Sequence, residues 1–197
     1  MSLSPGERIR LGRMEARILF EESEIRRRVE EIGTSIRGRL GADRPIFIAL
    51  LHGGFVFLSD LIRAFGAPHE VDFLKVSRYD ASQKDPSAVR VMHDLRSSIR
   101  DRQVVVVEGV RAAGTKIEYV DRFLRLHGPR GIDYCAMIRP AGANAVVPLS
   151  ETGFRIENEF VVGYGLDYRD RYRNLAFISA LDPAPSEGPP AAIEGVA

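Results

Sequence analysis

The sequence of 197 residues contains no tryptophan and a single cysteine, Cys135. One cysteine excludes an internal disulfide bond and any zinc site built from several cysteines, and it is typical of a reducing compartment. Because free cysteine is usually buried, we expect Cys135 to lie in a buried strand rather than to act as a nucleophile.

Long apolar runs are also lacking. The longest, at residues 46–51 and 104–107, are far shorter than the roughly 20 residues that a membrane-spanning helix requires. The first residues do not contain the apolar core of a secretory signal. We therefore expect a cytoplasmic protein with no membrane partner.

Neither sign of charge is in excess, since 28 basic residues stand against 27 acidic ones. A nearly neutral chain has no general attraction for nucleic acid, so we expect no nucleic-acid partner. A chain that is 45% hydrophobic and 28% charged is typical of a globular protein, and its length favours one domain.

Apolar periodicity alternates between strands and helices along the chain. Buried strands are predicted at 46–51, 71–77, 104–107 and 132–138, and amphipathic helices at 25–40, 55–65 and 117–126, the first with Ser23 as its N-cap. We also expect short strands at 17–20 and 176–181 and a hairpin between 154–156 and 159–163. This alternation predicts an α/β fold with a mainly parallel central sheet that helices cover on both faces.

The domain limits follow from the same pattern. Residues 1–15 are predicted to be an N-terminal extension and residues 16–181 the folded domain. Residues 182–197 contain four of the eleven prolines and are predicted to form a disordered tail. The polar stretch 78–88 has no periodicity and is predicted to be a loop that acts as a lid.

Two small-residue turns follow predicted parallel strands, at 52–54 and 109–114. In parallel sheets, ligands bind beyond the carboxyl ends of the strands, so we expect both turns to border a ligand crevice. The second turn superficially resembles a nucleotide-binding Gly-Lys-Thr loop. Here, however, Thr115 precedes Lys116, which argues against an ATPase.

Several motifs carry a family resemblance. The ordered segments LLHGGFVFLSDLIRAF, VDFLKVSRY, VVVVEGVRAAGTK and FVVGYGLDYRDRYRNL resemble the hypoxanthine-guanine phosphoribosyltransferase family across 16–181. The resemblance implies a type I phosphoribosyltransferase fold with a small hood and assembly as a homodimer or homotetramer. It also implies transfer of ribose 5-phosphate from phosphoribosyl pyrophosphate to hypoxanthine or guanine, giving IMP or GMP and pyrophosphate, with Mg²⁺ as the cofactor.

The resemblance also implies site residues. Glu108 is the catalytic candidate, Glu108 and Asp167 are the metal candidates, and Arg78 and Tyr79 belong to the lid. The predicted phosphate and pyrophosphate ligands are Leu51, His52, Gly53, Arg111, Ala113, Gly114, Thr115, Lys116 and Arg173. The predicted purine contacts are Arg139, Phe160, Val161 and Asp167, with Phe160 stacking on the base.

The phosphoribosyl pyrophosphate loop departs from the family pattern Glu-Asp-(Ile/Val)-x-Asp-(Thr/Ser)-Gly-x-Thr. Gly109 stands in place of the second acid, which would bind ribose hydroxyls, and Ala112 in place of the proposed general base. Ala113 and Lys116 replace two hydroxyl residues. We expect phosphate binding to survive better than catalysis, and acids placed at 109 and 112 to restore activity.

Two further substitutions affect other parts of the site. Arg139 stands where the family generally has a lysine, and Arg78 where it usually has a serine. Arginine can still donate a hydrogen bond to a purine oxygen, although with a different reach.

Two classes of function therefore remain open. One is a purine phosphoribosyltransferase that is weak or altered in substrate. The other is a regulatory protein that binds a nucleotide or phosphoribosyl pyrophosphate without catalysis. Structural roles also remain open at this point: Asp167 as a salt-bridge partner of an arginine, Phe160 as a core residue, and His52 as part of a turn.

Overall fold

The computed structural model describes residues 4–12, 14–78, 89–111, 115–142, 146–157 and 159–182. The helices are α1 (Glu22–Leu40), α2 (Phe55–Phe65) and α3 (Thr115–Leu126). The strands are β1 (Arg8–Leu11), β2 (Met14–Phe20), β3 (Ile46–Leu50), β4 (Glu70–Arg78), β5 (Val89–His93), β6 (Gln103–Val110), β7 (Gly131–Pro140), β8 (Glu151–Ile156), β9 (Val161–Val162) and β10 (Ile178–Asp182).

The central sheet has six strands in the order β5-β4-β3-β6-β7-β8. All neighbouring pairs are parallel except the edge pair β4–β5, which is antiparallel. Residues 104–107 of β6 are fully buried, because Val105 and Val107 pack on the side of α1 and α2 while Val104 and Val106 pack on the side of α3. The predicted α/β fold with a mainly parallel sheet is confirmed.

A second, antiparallel sheet forms a hood from the two ends of the described chain, in the order β1-β2-β10-β9. β1 lies within the predicted N-terminal extension, and β10 includes Asp182. The predicted hairpin between 154–156 and 159–163 is wrong. β8 instead extends the central sheet as a parallel partner of β7, and β9 pairs with β10 in the hood. The segment between β8 and β9 thus connects the two sheets. Phe154 of β8 stacks on Phe20 of β2 with ring centroids 3.9 Å apart, so aromatic packing joins them as well.

Local details of the sequence prediction are partly confirmed. Cys135 and the apolar stripe of α1 are buried, as expected. Ser23 is not the N-cap of α1. Glu21 takes that position and forms a capping box with Glu24, so a carboxylate rather than a hydroxyl satisfies the first helical N–H groups.

Some predicted features lie outside the described residues: most of the lid, including Tyr79, and the tail after Asp182. Arg78 is described only as the last residue of β4. Among the described residues, no helix combines the length and the apolar character needed to cross a membrane.

Candidate active site

The turn at residues 51–54 connects the carboxyl end of β3 to α2. It contains a cis peptide bond between Leu51 and His52. Gly54 faces β6 so closely that a Cβ atom there would lie 2.6 Å from the carbonyl oxygen of Val107. Only glycine fits, because a Cβ atom essentially never approaches backbone oxygen below 3.0 Å. The sequence Gly53-Gly54 therefore lets this turn lie directly against the end of β6.

Gly109, near the end of β6, meets the same turn from the other side. A Cβ atom at Gly109 would lie 2.4 Å from the carbonyl oxygen of Gly53 and 2.7 Å from a methyl group of Leu166. The position that carries the second acid in the family pattern therefore has no room for a side chain. The expectation that an aspartate at position 109 would restore a ribose contact is wrong for this backbone.

Glu108 and Arg111 form a buried ion pair beside this contact. Glu108 is 6% exposed and Arg111 is 1% exposed, and an oxygen of Glu108 lies 2.7 Å from a guanidinium nitrogen of Arg111. Arg111 also donates a hydrogen bond to the Val147 carbonyl at 3.3 Å and lies over the ring of Tyr134. Burial raises the pKa of Glu108 to about 7, although the charges of Arg111 and Lys116 oppose this rise. Burial also lowers the pKa of Arg111.

A crevice of about 220 Å³ lies between the turn, the end of β6 and the start of α3. Lys116, in the first turn of α3, lines it together with Glu108 and His52. The free N–H groups at the start of a helix attract anions, and a lysine beside them adds to this effect. Three residues of the predicted phosphate loop, Ala112, Ala113 and Gly114, lie outside the described residues, and α3 begins at Thr115.

The segment 163–173 closes one side of the crevice. Tyr164, Arg169, Asp170 and Tyr172 all have positive φ angles, which is uncommon for residues with a side chain and persists only where surrounding contacts enforce it. Tyr164 supplies one such contact by donating a hydrogen bond of 2.7 Å to Asp60 of α2. Conformations of this kind are concentrated at functional sites.

Arg173 holds this segment in shape. Its guanidinium lies 2.8 Å from a carboxylate oxygen of Asp167 and 3.0 Å from one of Asp170, and it donates a hydrogen bond of 2.9 Å to the Gly165 carbonyl. Asp167 also accepts the backbone N–H of Asp170 at 2.9 Å. Asp167 and Arg173, which were both predicted to be functional, are thus in direct contact. The salt bridge that was the alternative interpretation of Asp167 is present.

His52 lies in a predominantly positive field. Burial and the charges of Lys75 and Arg173 lower its pKa, against a smaller opposing effect of Asp170 and Asp167. His52 is therefore neutral at pH 7. The turn, β4 and the segment 163–173 place two cations and two carboxylates around this imidazole. The cations act on it more strongly than the carboxylates do, so the space beside His52 favours an anion.

The predicted purine residues lie where the hood meets the central sheet. Phe160 is 43% exposed, and its ring makes an edge contact with Tyr168, with centroids 5.9 Å apart. Phe160 is therefore not a core residue. Val161 is buried in β9, and the Phe160 carbonyl accepts the N–H of Leu181 at 2.9 Å.

Arg139 occupies a second cavity, of about 650 Å³, between β2 and the ends of β7 and β8. It is in register with Arg155 on the neighbouring strand. Arg17 and Glu159 line the same cavity and form an ion pair of 3.1 Å.

Comparison with known proteins identifies the family. A model of the phosphoribosyl transferase domain matches residues 17–169. The hypoxanthine phosphoribosyltransferase of Salmonella typhimurium is 35% identical over 167 residues, which cover 83% of this chain and 94% of that protein. The hypoxanthine-guanine phosphoribosyltransferase of Mycobacterium tuberculosis is 36% identical over 174 residues, covering 84% and 86%. This chain belongs to the hypoxanthine-guanine phosphoribosyltransferase family.

Solved structures agree with this family. A hypoxanthine phosphoribosyltransferase from Staphylococcus aureus superposes with a TM-score of 0.79 at 29% identity, covering 84% of this chain and 91% of that one. A Trypanosoma cruzi hypoxanthine phosphoribosyltransferase, solved in a study of how its C-terminal region affects oligomeric state and activity, also gives 0.79 at 29% identity, covering 89% and 95%. The recognition made from the sequence motifs is confirmed.

Sequence reasoning missed some residues around this phosphoribosyltransferase site. Lys75 acts on His52, and Leu166 packs against the glycines of the turn. Lys75 carried a usable signal, because it is a basic residue near the carboxyl end of a buried parallel strand. The Arg17–Glu159 ion pair carried no such signal, since it joins residues that are distant in the sequence.

Proposed function

We propose that this protein transfers ribose 5-phosphate from phosphoribosyl pyrophosphate to hypoxanthine or guanine, producing IMP or GMP and pyrophosphate. The observation that carries this proposal is the placement of the cationic groups around His52 on one side of a crevice bordered by the start of α3, in a chain of this family. An exposed aromatic ring, Phe160, lies at the junction of the hood and the sheet. These parts suit the diphosphate, phosphate and base of the reactants.

The diphosphate end would be held by the turn 51–53 and by Arg173. Breaking the anomeric C–O bond leaves negative charge on pyrophosphate, so groups that are already positioned and positive lower the barrier. Arg173 is held in place by Gly165 and Asp167, so it needs little reorganisation. His52 is neutral in the free protein and would become a third cation when the anion raises its pKa.

The sugar phosphate would bind at the start of α3. The N–H groups of its first turn and the ammonium group of Lys116 supply the donors. Arg111 does not contribute in this structure, because its guanidinium is buried on Glu108 and Val147. Thr115, Ala113 and Gly114 stay predictions for this subsite.

The purine end would be held by Phe160, with Arg139 as the donor to the 6-oxo group and the backbone of Val161 along the edge of the base. The exposure of Phe160 supports stacking. Arg139 has no ion pair among the described residues and lines a cavity beside β2. A purine contact for Asp167 stays a prediction.

Mg²⁺ is the proposed cofactor. This ion retains several waters and typically takes one or two protein carboxylates together with substrate phosphates. The described residues contain no group of three or more potential metal ligands, which fits an ion held mostly by the substrate. Asp167 would take this role, since its carboxylate lies beside Arg173. Glu108 suits it less, because its carboxylate is buried on Arg111. Bound Mg²⁺ would supply charge neutralisation for the leaving group.

We expect the substitutions in the phosphoribosyl pyrophosphate loop to lower the rate of nucleotide synthesis without changing the reaction. Ala112 offers no general base toward the purine, and such groups typically contribute about 10² to 10⁴-fold. The purine must then lose its proton to water or to another group. No observation on the described part of the chain favours the regulatory alternative.

Other predictions from the sequence remain as proposals. Arg78 and Tyr79 would belong to a lid that keeps water from the reacting sugar. A homodimer or homotetramer is supported by apolar side chains exposed along β4 and β5, namely Val71, Phe73 and Met92. The cytoplasmic location and the absence of nucleic-acid and membrane partners also stay predictions.

The direct test is chromatographic detection of nucleotide formed from phosphoribosyl pyrophosphate and Mg²⁺ with hypoxanthine, guanine or adenine. We expect IMP and GMP, formed slowly, and no AMP. A folded protein that forms no nucleotide from any of these bases would overturn the proposal. AMP formation at the rate of IMP would overturn the assignment to 6-oxopurines.

A further inference from the structure

The groups proposed to hold the diphosphate belong to two separate parts of the chain. His52 lies on the turn before α2, whereas Arg173 ends the segment 163–173. Burial, followed by the charges of Lys75 and Arg173, lowers the pKa of His52, so Arg173 lies within electrostatic reach of the imidazole. One diphosphate can bind both groups well when their separation is fixed, since a misplacement of about 1 Å can cost as much as 10²-fold. The affinity of this end of the site therefore depends on what joins the segment to the turn.

Arg173 is bonded in both directions to Gly165, near the start of its segment. Its guanidinium donates to the Gly165 carbonyl at 2.9 Å, and the Gly165 N–H donates to the Arg173 carbonyl at 2.9 Å. The N–H of the preceding residue, Tyr164, donates to the Leu175 carbonyl at 2.8 Å. These bonds tie the two ends of the segment together, so the position of Tyr164 and Gly165 determines the position of Arg173.

α2 continues directly from the turn that contains His52. The N–H of Leu58 donates to the Gly54 carbonyl at 2.9 Å, which joins the turn to the helix. Asp60 lies in the second turn of α2, and its carboxylate forms an ion pair with Arg63 of the same helix. Asp60 therefore has a defined position relative to His52.

A hydrogen bond connects these two parts of the protein. The Tyr164 hydroxyl donates to a carboxylate oxygen of Asp60 at 2.7 Å. Tyr164 is 6% exposed, and burial together with this bond raises its pKa, so the hydroxyl keeps its proton. Its φ angle of 50° is unfavourable for a residue with a side chain and persists where surrounding contacts enforce it. The bond to Asp60 is a contact of this kind.

The backbone of Gly165 packs against the turn beside this bond. A Cβ atom at Gly165 would lie 3.2 Å from the Gly53 carbonyl oxygen and 3.1 Å from the Cβ atom of Val56. Such packing limits how closely the segment approaches the turn, but it has no preferred direction. The hydrogen bond between Tyr164 and Asp60 is directional, so it holds the segment in place against that surface.

We propose that Asp60 and Tyr164 are positioning residues for the diphosphate end of the site. Their hydrogen bond sets the separation of Arg173 from His52, although neither side chain is among the described residues that line the crevice. This inference rests on the proposed function, because it takes the space beside His52 and Arg173 to be the pyrophosphate subsite. The bond should control the affinity for pyrophosphate and leave that for IMP unchanged, since the proposed IMP contacts lie next to β9 and at the start of α3.

The test is calorimetric titration of wild type and Tyr164→Phe with pyrophosphate and Mg²⁺, and separately with IMP. Tyr164→Phe removes the hydroxyl and keeps the ring. We expect its dissociation constant for pyrophosphate to rise roughly tenfold, the lower end of the effect of losing a hydrogen bond to a charged group. Its dissociation constant for IMP should stay within about twofold of wild type, the margin that we take as no effect on a hydrogen-bonding scale.

Tyr172→Phe is the matched control. Tyr172 lies in the same segment and also has a positive φ angle, but its hydroxyl donates to the Leu11 carbonyl of β1 at 3.2 Å. Both dissociation constants should therefore be unchanged in this variant. A loss of pyrophosphate affinity in Tyr172→Phe as large as that in Tyr164→Phe would show a general loosening of the segment and would overturn the inference.

Variants of Asp60 separate positioning from stability. Asp60→Asn keeps an acceptor oxygen for Tyr164 and should retain most of the pyrophosphate affinity, whereas Asp60→Ala should match Tyr164→Phe. The double variant Tyr164→Phe/Asp60→Ala should lose no more than either single variant, because both changes remove the same bond. Additive losses would overturn the inference. If Asp60→Ala does not fold, Tyr164→Phe still decides.

The remaining outcomes distinguish this inference from the proposed function. Unchanged pyrophosphate affinity in Tyr164→Phe, or equal losses for pyrophosphate and IMP, would overturn the inference and leave the proposed function standing. Folded wild-type protein that binds neither ligand would overturn the proposed function, and the inference would fail with it.

Discussion

Gly109→Ala should destabilise the protein, although it adds only one methyl group. The new Cβ atom would lie 2.4 Å from the Gly53 oxygen, whereas ordinary contacts begin at 3.4 Å, so the turn and the end of β6 must separate by about 1 Å. Leu166, 2.7 Å away on another side, restricts that movement. Overpacking of this kind typically costs about 1 to 3 kcal/mol in the free energy of unfolding.

Gly38→Ala in α1 is the matched control. A Cβ atom at Gly38 meets nothing within 4 Å, so only the gain from removing a helical glycine remains, roughly 0.5 to 1 kcal/mol. Urea unfolding of both variants measures the difference. Thermal midpoints should fall for Gly109→Ala and rise for Gly38→Ala, by about 2 to 4 °C per kcal/mol for a protein of this size. Equal stability of Gly109→Ala and wild type would refute the close contact between β6 and the turn.

Three further predictions concern the proposed ligand sites. Because burial, Lys75 and Arg173 lower the pKa of His52 and a bound anion raises it, pyrophosphate affinity should increase as the pH falls through the pKa of the complex and level off below that of the free protein. His52→Asn should remove this part of the dependence in titrations from pH 8 to 5, while the titration of pyrophosphate itself is common to both proteins; identical profiles would exclude His52. Phe160→Ala should weaken IMP binding by about 1 to 3 kcal/mol, the range for stacking on a base, and Phe160→Trp should retain it; unchanged affinity in Phe160→Ala would remove the ring from the site. Ala112→Asp alone should increase the rate of IMP synthesis by roughly 10²-fold, the lower end of a general base's contribution, and a folded variant with no gain in the pyrophosphate-release assay would show that the missing base does not limit turnover.

The sequence predicted the features that depend on local chemistry. Buried valine runs and alternating helices indicated a parallel sheet, and the small-residue turns predicted at 52–54 and 109–114 indicated the crevice that lies beside the carboxyl ends of β3 and β6. The motif FVVGYGLDYRDRYRNL indicated the family. These signals are readable because each element's periodicity reflects the surface that it buries.

Features that depend on contacts between distant residues could not be predicted. The prediction of a hairpin at residues 154–163 was wrong because β8 pairs in parallel with β7. Two short apolar segments do not show which sheet edge each of them joins. From the sequence, Gly109 was interpreted only as the loss of an acidic residue. In the structure, its backbone packs against Gly53. Arg111 was predicted to be a phosphate ligand. Its side chain instead faces inward to Glu108, where it also contacts the Tyr134 ring and the Val147 carbonyl.

The most direct test of the central claim is a crystal structure of the protein with IMP and pyrophosphate bound. The account predicts the purine ring on Phe160, the nucleotide phosphate at the start of α3 near Lys116, and pyrophosphate between His52 and Arg173, with Glu108 still paired to Arg111. IMP bound instead in the larger cavity of about 680 Å³ between α1, α2 and the segment 173–176, with the crevice beside Lys116 lacking phosphate, would contradict it.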